Sequence, residues 1–177
     1  MPVIRGQARG PSLSDDQRNA LLQKLGNELA GKSSTTGRAV FDTPLIFEIP
    51  LERLDGTLDR IDVLVVWDAF RSLRSEERTG LILDAYGNRE DSISQAVGVT
   101  HDEMMDQALL PYRMMHIERP GEVDPNEINN AMLDEGGFMI GGNAELLLPT
   151  RRMAEAAQER LYERVPNGRW AIGEMVR

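Results

Sequence analysis

IDVLVVW, residues 61–67, is the stretch on which the fold turns. Six of its seven residues are apolar and four are Ile or Val. A half-buried strand alternates apolar with polar side chains; this one barely does. The run therefore predicts a central strand covered on both faces. Asp68 and a loop end it. Before it, LIFEI (45–49) predicts a second strand closed by Pro50, and LERLDGTLDR (51–60) a turn-rich connection. After it, Ser75 with Glu76 and Glu77 marks a helix start, because acids suit the positive end of a helix. Leu81, Ile82, Ala85 and Tyr86 form its apolar stripe, and Gly87 stops it.

Working outward, SDDQ (14–17) is a capping-box pattern, and Leu21, Leu22, Leu25 and Leu29 follow at helical spacing. This predicts a helix over about 15–30 that stops at Gly31. Residues 31–44 read as loop. Residues 1–13, with Pro2, Arg5, Gly6, Arg9, Gly10 and Pro11, read as a flexible basic arm.

Toward the C-terminus, the pattern predicts a short helix at about 91–97, a turn at Gly98, and a helix opened by the capping box THDE (100–103). YRMMHI (112–117) reads as a strand. Asp124-Pro125 opens a helix to about Leu133. FMI (138–140) and AELLL (144–148) read as a hairpin. Thr150 opens another helix, and RWAIGEMV (169–176) reads as the last strand. The expectation is an α+β fold: residues 14–177 as a single domain, with one mixed or antiparallel sheet of five or six strands and helices mainly on one face.

Composition narrows the chemistry. The 177 residues contain no cysteine, which removes disulfides, thiol nucleophiles and cysteine-bound metal centres. The longest apolar runs are too short to span a membrane, and no secretory signal is visible in the first residues. A cytoplasmic protein is expected. The net charge is −9, unevenly distributed: residues 1–44 carry six basic and four acidic side chains, and residues 45–177 carry fourteen and twenty-five. An acidic body repels phosphate backbones, so nucleic acid is not an expected partner.

GNELAGKS (26–33) fits the phosphate-binding pattern G-x-x-x-x-G-K-[ST]. In that alternative Gly31, Lys32 and Ser33 would hold phosphate, and Asp68 a magnesium ion. The context argues otherwise. A phosphate loop runs from a strand into a helix, whereas here a helix runs into coil. A third possibility is a metal-dependent hydrolase built on Asp and Glu at strand ends. The two histidines, His101 and His116, each have acidic neighbours, but no metal site or cofactor is expected from them. ISQAVGVTHDEMMDQAL (93–109) has helix–turn–helix spacing, but Asp102, Glu103 and Asp106 would face phosphates.

VVWDAF (65–70), a gap of seven, then Arg78 and Leu81-Ile82 resembles the strand–helix passage of BolA-like proteins. That resemblance implies a KH-like order of helix–strand–strand–helix–helix–strand through residue 117. The family's signature places histidine directly after the arginine, where this chain has Thr79. The iron–sulfur partnership of the family is therefore not implied.

Two clusters remain as interaction candidates. Met104, Met105, Met114 and Met115 flank a helix-to-strand turn, and flexible thioethers suit adaptable surfaces. Arg71, Arg74 and Arg78 sit beside the strong strand's end and could meet an acidic partner. The reading is a non-catalytic interaction or regulatory domain that docks on a protein partner or on itself.

Overall fold

The computed structural model describes residues 13–32, 42–52, 55, 58–119, 121 and 123–175. Residues 1–12 of the arm, and Ser33, lie outside them. Five α-helices and seven strands are present among the described residues: α1 (Asp15–Leu29), β1 (Leu45–Glu52), β2 (Leu58–Val66), α2 (Ser75–Tyr86), β3 (Ile93–Val99), α3 (His101–Asp106), β4 (Tyr112–His116), α4 (Pro125–Asp134), β5 (Phe138–Ile140), β6 (Asn143–Leu148), α5 (Arg151–Arg164) and β7 (Trp170–Glu174). The strands form two sheets, in the orders β1-β2-β3 and β5-β6-β4-β7. The α+β class holds, but the single sheet of five or six strands does not.

In the first sheet β1 pairs antiparallel with β2, and β2 pairs parallel with β3. A parallel pair needs a crossover, and α2 supplies it. Residues 63–67 are all buried. Val63, Val65 and Trp67 join Leu25 of α1 and Leu81, Ile82 and Tyr86 of α2 in one core. Leu64 and Val66, with Leu45, Phe47 and Val99, face a larger core holding Met114, Leu146, Leu148, Ala157, Leu161 and Trp170. Helices thus cover one face of the first sheet, and the other face packs toward the second sheet with α4 and α5. The expectation of helices mainly on one face is corrected accordingly: neighbouring residues of β2 serve opposite cores, so one element needs two different covers.

The expected helix at 91–97 is corrected too. A 3-10 helix fills Gly87–Ser92, and 93–99 is β3. The open edge of β2 pairs with Ile61-to-Val66 register partners Ile93 to Val99, and that ladder outweighs a weak helical pattern. Gly98 is not a turn. A Cβ there would lie 2.7 Å from Phe70 Cε2 and 2.9 Å from Arg78 Cβ, so the glycine lets α2 and the Phe70 ring approach the strand. Consequently the order helix–strand–strand–helix–short helix–strand is complete by Val99, not residue 117.

The second sheet is staggered. Residues 143–145 of β6 pair with β5, while residues 146–148 pair with β4. β4 also pairs with β7, and Ile117 N–H extends that ladder to the Arg169 carbonyl at 2.8 Å. Helix starts are capped as their sequences require: Ser14 with Gln17, Thr100 with Glu103, Asp124 before Pro125, and Thr150.

Candidate functional site

Arg78 was expected on a docking surface, yet it is only 8% exposed. Its Nε donates to the Leu73 carbonyl at 3.0 Å, and Nη1 donates to the Gly98 carbonyl at 3.2 Å. Nη1 and Nη2 also hold the two oxygens of Glu103 at 2.5 and 3.2 Å. Glu103 in turn accepts the Thr100 N–H that opens α3. Its carboxyl is held below the usual range, chiefly by the Arg78 hydrogen bonds and against the effect of burial. This arginine joins α2, β3 and α3.

Arg71 and Arg74 are exposed. Arg71 reaches Asp102 at 3.0 Å and Asp68 at 3.8 Å, and Arg74 reaches Glu77 at 3.5 Å. The methionines divide. Met104 and Met114 lie in the larger core, whereas Met105 and Met115 are 46% and 42% exposed.

The described part of 26–33 is the last turn of α1 followed by Gly31 at φ 67° and Lys32. The element leading into it is a helix, α1, not a strand. Asp68 is spent locally, accepting the His101 N–H at 2.9 Å where α3 begins. Among the described residues no three His, Asp or Glu side chains converge as metal ligands, and no helix is long and apolar enough to cross a membrane.

The sheet edges draw a different site. At β3, Thr79 Oγ1 donates to the Ala96 carbonyl at 3.0 Å, and Arg78 holds the Gly98 carbonyl. At β7, the Trp170 carbonyl accepts from Gln158 Nε2 and the Tyr162 hydroxyl, and its N–H donates to that hydroxyl. β5 has only three residues. β1 has eight, and among the described residues neither a strand nor a side chain satisfies its outer backbone.

Its outward groups follow from register. Trp67 N–H donates to the Val99 carbonyl, so odd positions of β2 face β3 and even positions face β1. Val66, Leu64 and Asp62 pair with Leu45, Phe47 and Ile49. The N–H and C=O of Ile46 and Glu48, and the carbonyl of Pro50, therefore point away from the sheet. Pro50 sits where a missing donor costs nothing.

Two adjoining clefts lie along this edge. One of about 500 Å³ has an apolar side of Leu45, Phe47, Leu133, Leu148, Met153 and Ala156, and it also touches Glu28, Ile46 and Glu48, which it shares with the second. The other, of about 420 Å³, is lined by Glu28, Leu29, Ile46, Glu48 and Arg89. Glu48 accepts from the Tyr86 hydroxyl at 2.8 Å and from Arg89 at 3.1 Å. Burial, then this carboxylate, push the Tyr86 hydroxyl well above its usual range. The sequence carried one signal for this edge, Pro50 inside an apolar run. It read as the end of a strand.

Comparison with known proteins yields no match: no family model, no curated protein and no solved structure is significantly similar to this chain.

Proposed function

We propose that this chain is a non-catalytic docking domain that takes an extended segment of a protein partner along the outer edge of β1. One observation carries the reading. Side chains hold the Ala96 and Gly98 carbonyls of β3 and the backbone of Trp170 in β7, and β5 is short, while β1 presents five outward backbone groups beside two adjoining clefts and, among the described residues, no side chain meets them. Long open edges are a liability that proteins usually blunt, so one left open beside grooves is suited to strand addition. Main-chain pairing supplies affinity there, and the adjoining clefts supply selectivity. The acidic body disfavours nucleic acid as the occupant. The absence of cysteine fits a cytoplasmic setting.

Selection from a random peptide library, followed by amide hydrogen exchange on the complex, tests this. Selected peptides slow exchange of the Ile46 and Glu48 amides. Protection confined to the exposed Met105, Met115, Arg71 or Arg74 surfaces would move docking to the methionine or arginine clusters instead.

A further inference from the structure

We propose that the segment received by β1 belongs to another protein and alternates apolar with basic side chains. The inference rests on the docking reading above and adds the chemistry of the occupant. A strand laid beside β1 sends successive side chains to opposite faces. Leu45 and Phe47 of β1 belong to the larger core, whereas Ile46 packs with the α1–α2 core and Glu48 reaches Tyr86 of α2. The added strand inherits the same two environments. One set of its side chains enters the cleft of Leu133, Leu148, Met153 and Ala156. The alternate set lies over Ile46, Glu48 and Glu28.

Charge selects the second set. Along the clefts the lining carries the carboxylates of Glu48, Asp134 and Glu135 and the guanidinium groups of Arg89 and Arg160, and Glu48 is the one that stands on β1 itself. Asp134 and Glu135 are held by Arg164 and Arg160. Glu48, on β1 itself, is 40% exposed and shares Arg89, which is 56% exposed. A cation arriving on the partner strand meets Glu48 at cross-strand distance, where opposite charges attract and like charges repel. Residues 45–177 as a whole carry twenty-five acids against fourteen bases, a field that attracts a basic segment.

The same feature argues against a second copy as the occupant. Outward groups pair only with outward groups, so an antiparallel self-pairing centred on β1 sets the two Glu48 side chains opposite or diagonal to one another. Pro50 removes one donor from each copy, and two chains of net charge −9 would be joined.

The test uses the full chain and three capped synthetic peptides: alternating Val and Lys, alternating Val and Glu, and the Val–Lys peptide interrupted by proline. Binding is read by titration calorimetry and amide exchange. The Val–Lys peptide is expected to bind and to slow the Ile46 and Glu48 amides, and the proline-interrupted peptide to fail. Glu48→Gln, which keeps an acceptor for Tyr86, weakens the Val–Lys peptide by about fivefold, the size of a partly exposed charge pair. Glu48→Lys moves preference toward Val–Glu. Equal binding of Val–Lys and Val–Glu peptides overturns the basic assignment while the docking edge stands. Failure of both peptides, with unchanged amide exchange, overturns the docking edge as well. Protection of the same two amides that grows with protein concentration alone identifies a second copy and overturns the choice of a foreign strand.

Discussion

Arg78 shows how differently a charged residue reads in sequence and in space. Its position near Arg71 and Arg74 gave it the look of a surface cluster, but its partners are the carbonyls of Leu73 and Gly98 and the carboxylate of Glu103, 25 residues along the chain. No local pattern announces a pair at that separation. The pair has a pH signature. Glu103 titrates below its ordinary value of 4.5 in the folded protein, so its contribution is complete above that value and is lost as pH falls through the folded one. Glu103→Gln is expected to cost about 1 kcal/mol at pH 7, the carboxylate being 39% exposed and partly screened. The difference from the parent shrinks as pH drops below about 4. Urea midpoints across this range check it; a gap that stays constant would show that charge is not what Glu103 supplies. Gly98 is the companion case. Its sequence role as a turn was wrong because the constraint comes from Phe70, which is fully buried and cannot yield. Gly98→Ala should cost about 2–3 kcal/mol by overpacking, read as a lower urea midpoint with an unchanged slope.

At the scale of elements, signals written within a few residues were legible. The capping boxes at Ser14 and Thr100, the Asp124-Pro125 start and the 138–148 hairpin all stand where the sequence put them. β3 was not legible, because ISQAVGV alternates weakly and becomes a strand through pairing with β2. The candidate docking edge was half legible. The strand at 45–49 was visible, but which of its backbone groups face outward depends on the register with β2. That edge makes a prediction for the free protein. Phe47 and Ile49 amides point to β2, whereas those of Ile46 and Glu48 point outward. Exchange along β1 should therefore alternate, slow at 47 and 49 and fast at 46 and 48. Uniform protection across the four amides would mean that another segment of the chain already occupies the edge.

For the whole molecule, the sequence foretold the α+β class but not the division into two sheets, because strand count does not reveal which strands share a ladder. The division raises the question of whether the two cores unfold together. Leu64 and Val66 of β2 enter one core and Val63 and Val65 enter the other. Burying such side chains is worth about 1.5–3 kcal/mol each. Melting either core exposes one face of β2 and removes that contribution from the strand that supports the other. Cooperativity is therefore expected, and the reading of 14–177 as one domain depends on it. The chain contains two tryptophans, which serve as separate reporters. Trp67 is buried in the α1–α2 core, 5.4 Å from the Phe70 ring centroid, and Trp170 is buried in the larger core, 5.1 Å from the His116 ring. Trp170→Phe leaves Trp67 as the sole emitter, and Trp67→Phe leaves Trp170. Each substitution shifts overall stability, so each variant is compared with its own far-ultraviolet circular dichroism. The expected result is that fluorescence and dichroism midpoints coincide within each variant. If Trp67 emission changes well before the dichroism in one variant and Trp170 emission well after it in the other, the α1–α2 layer unfolds separately and the chain holds two cooperative units.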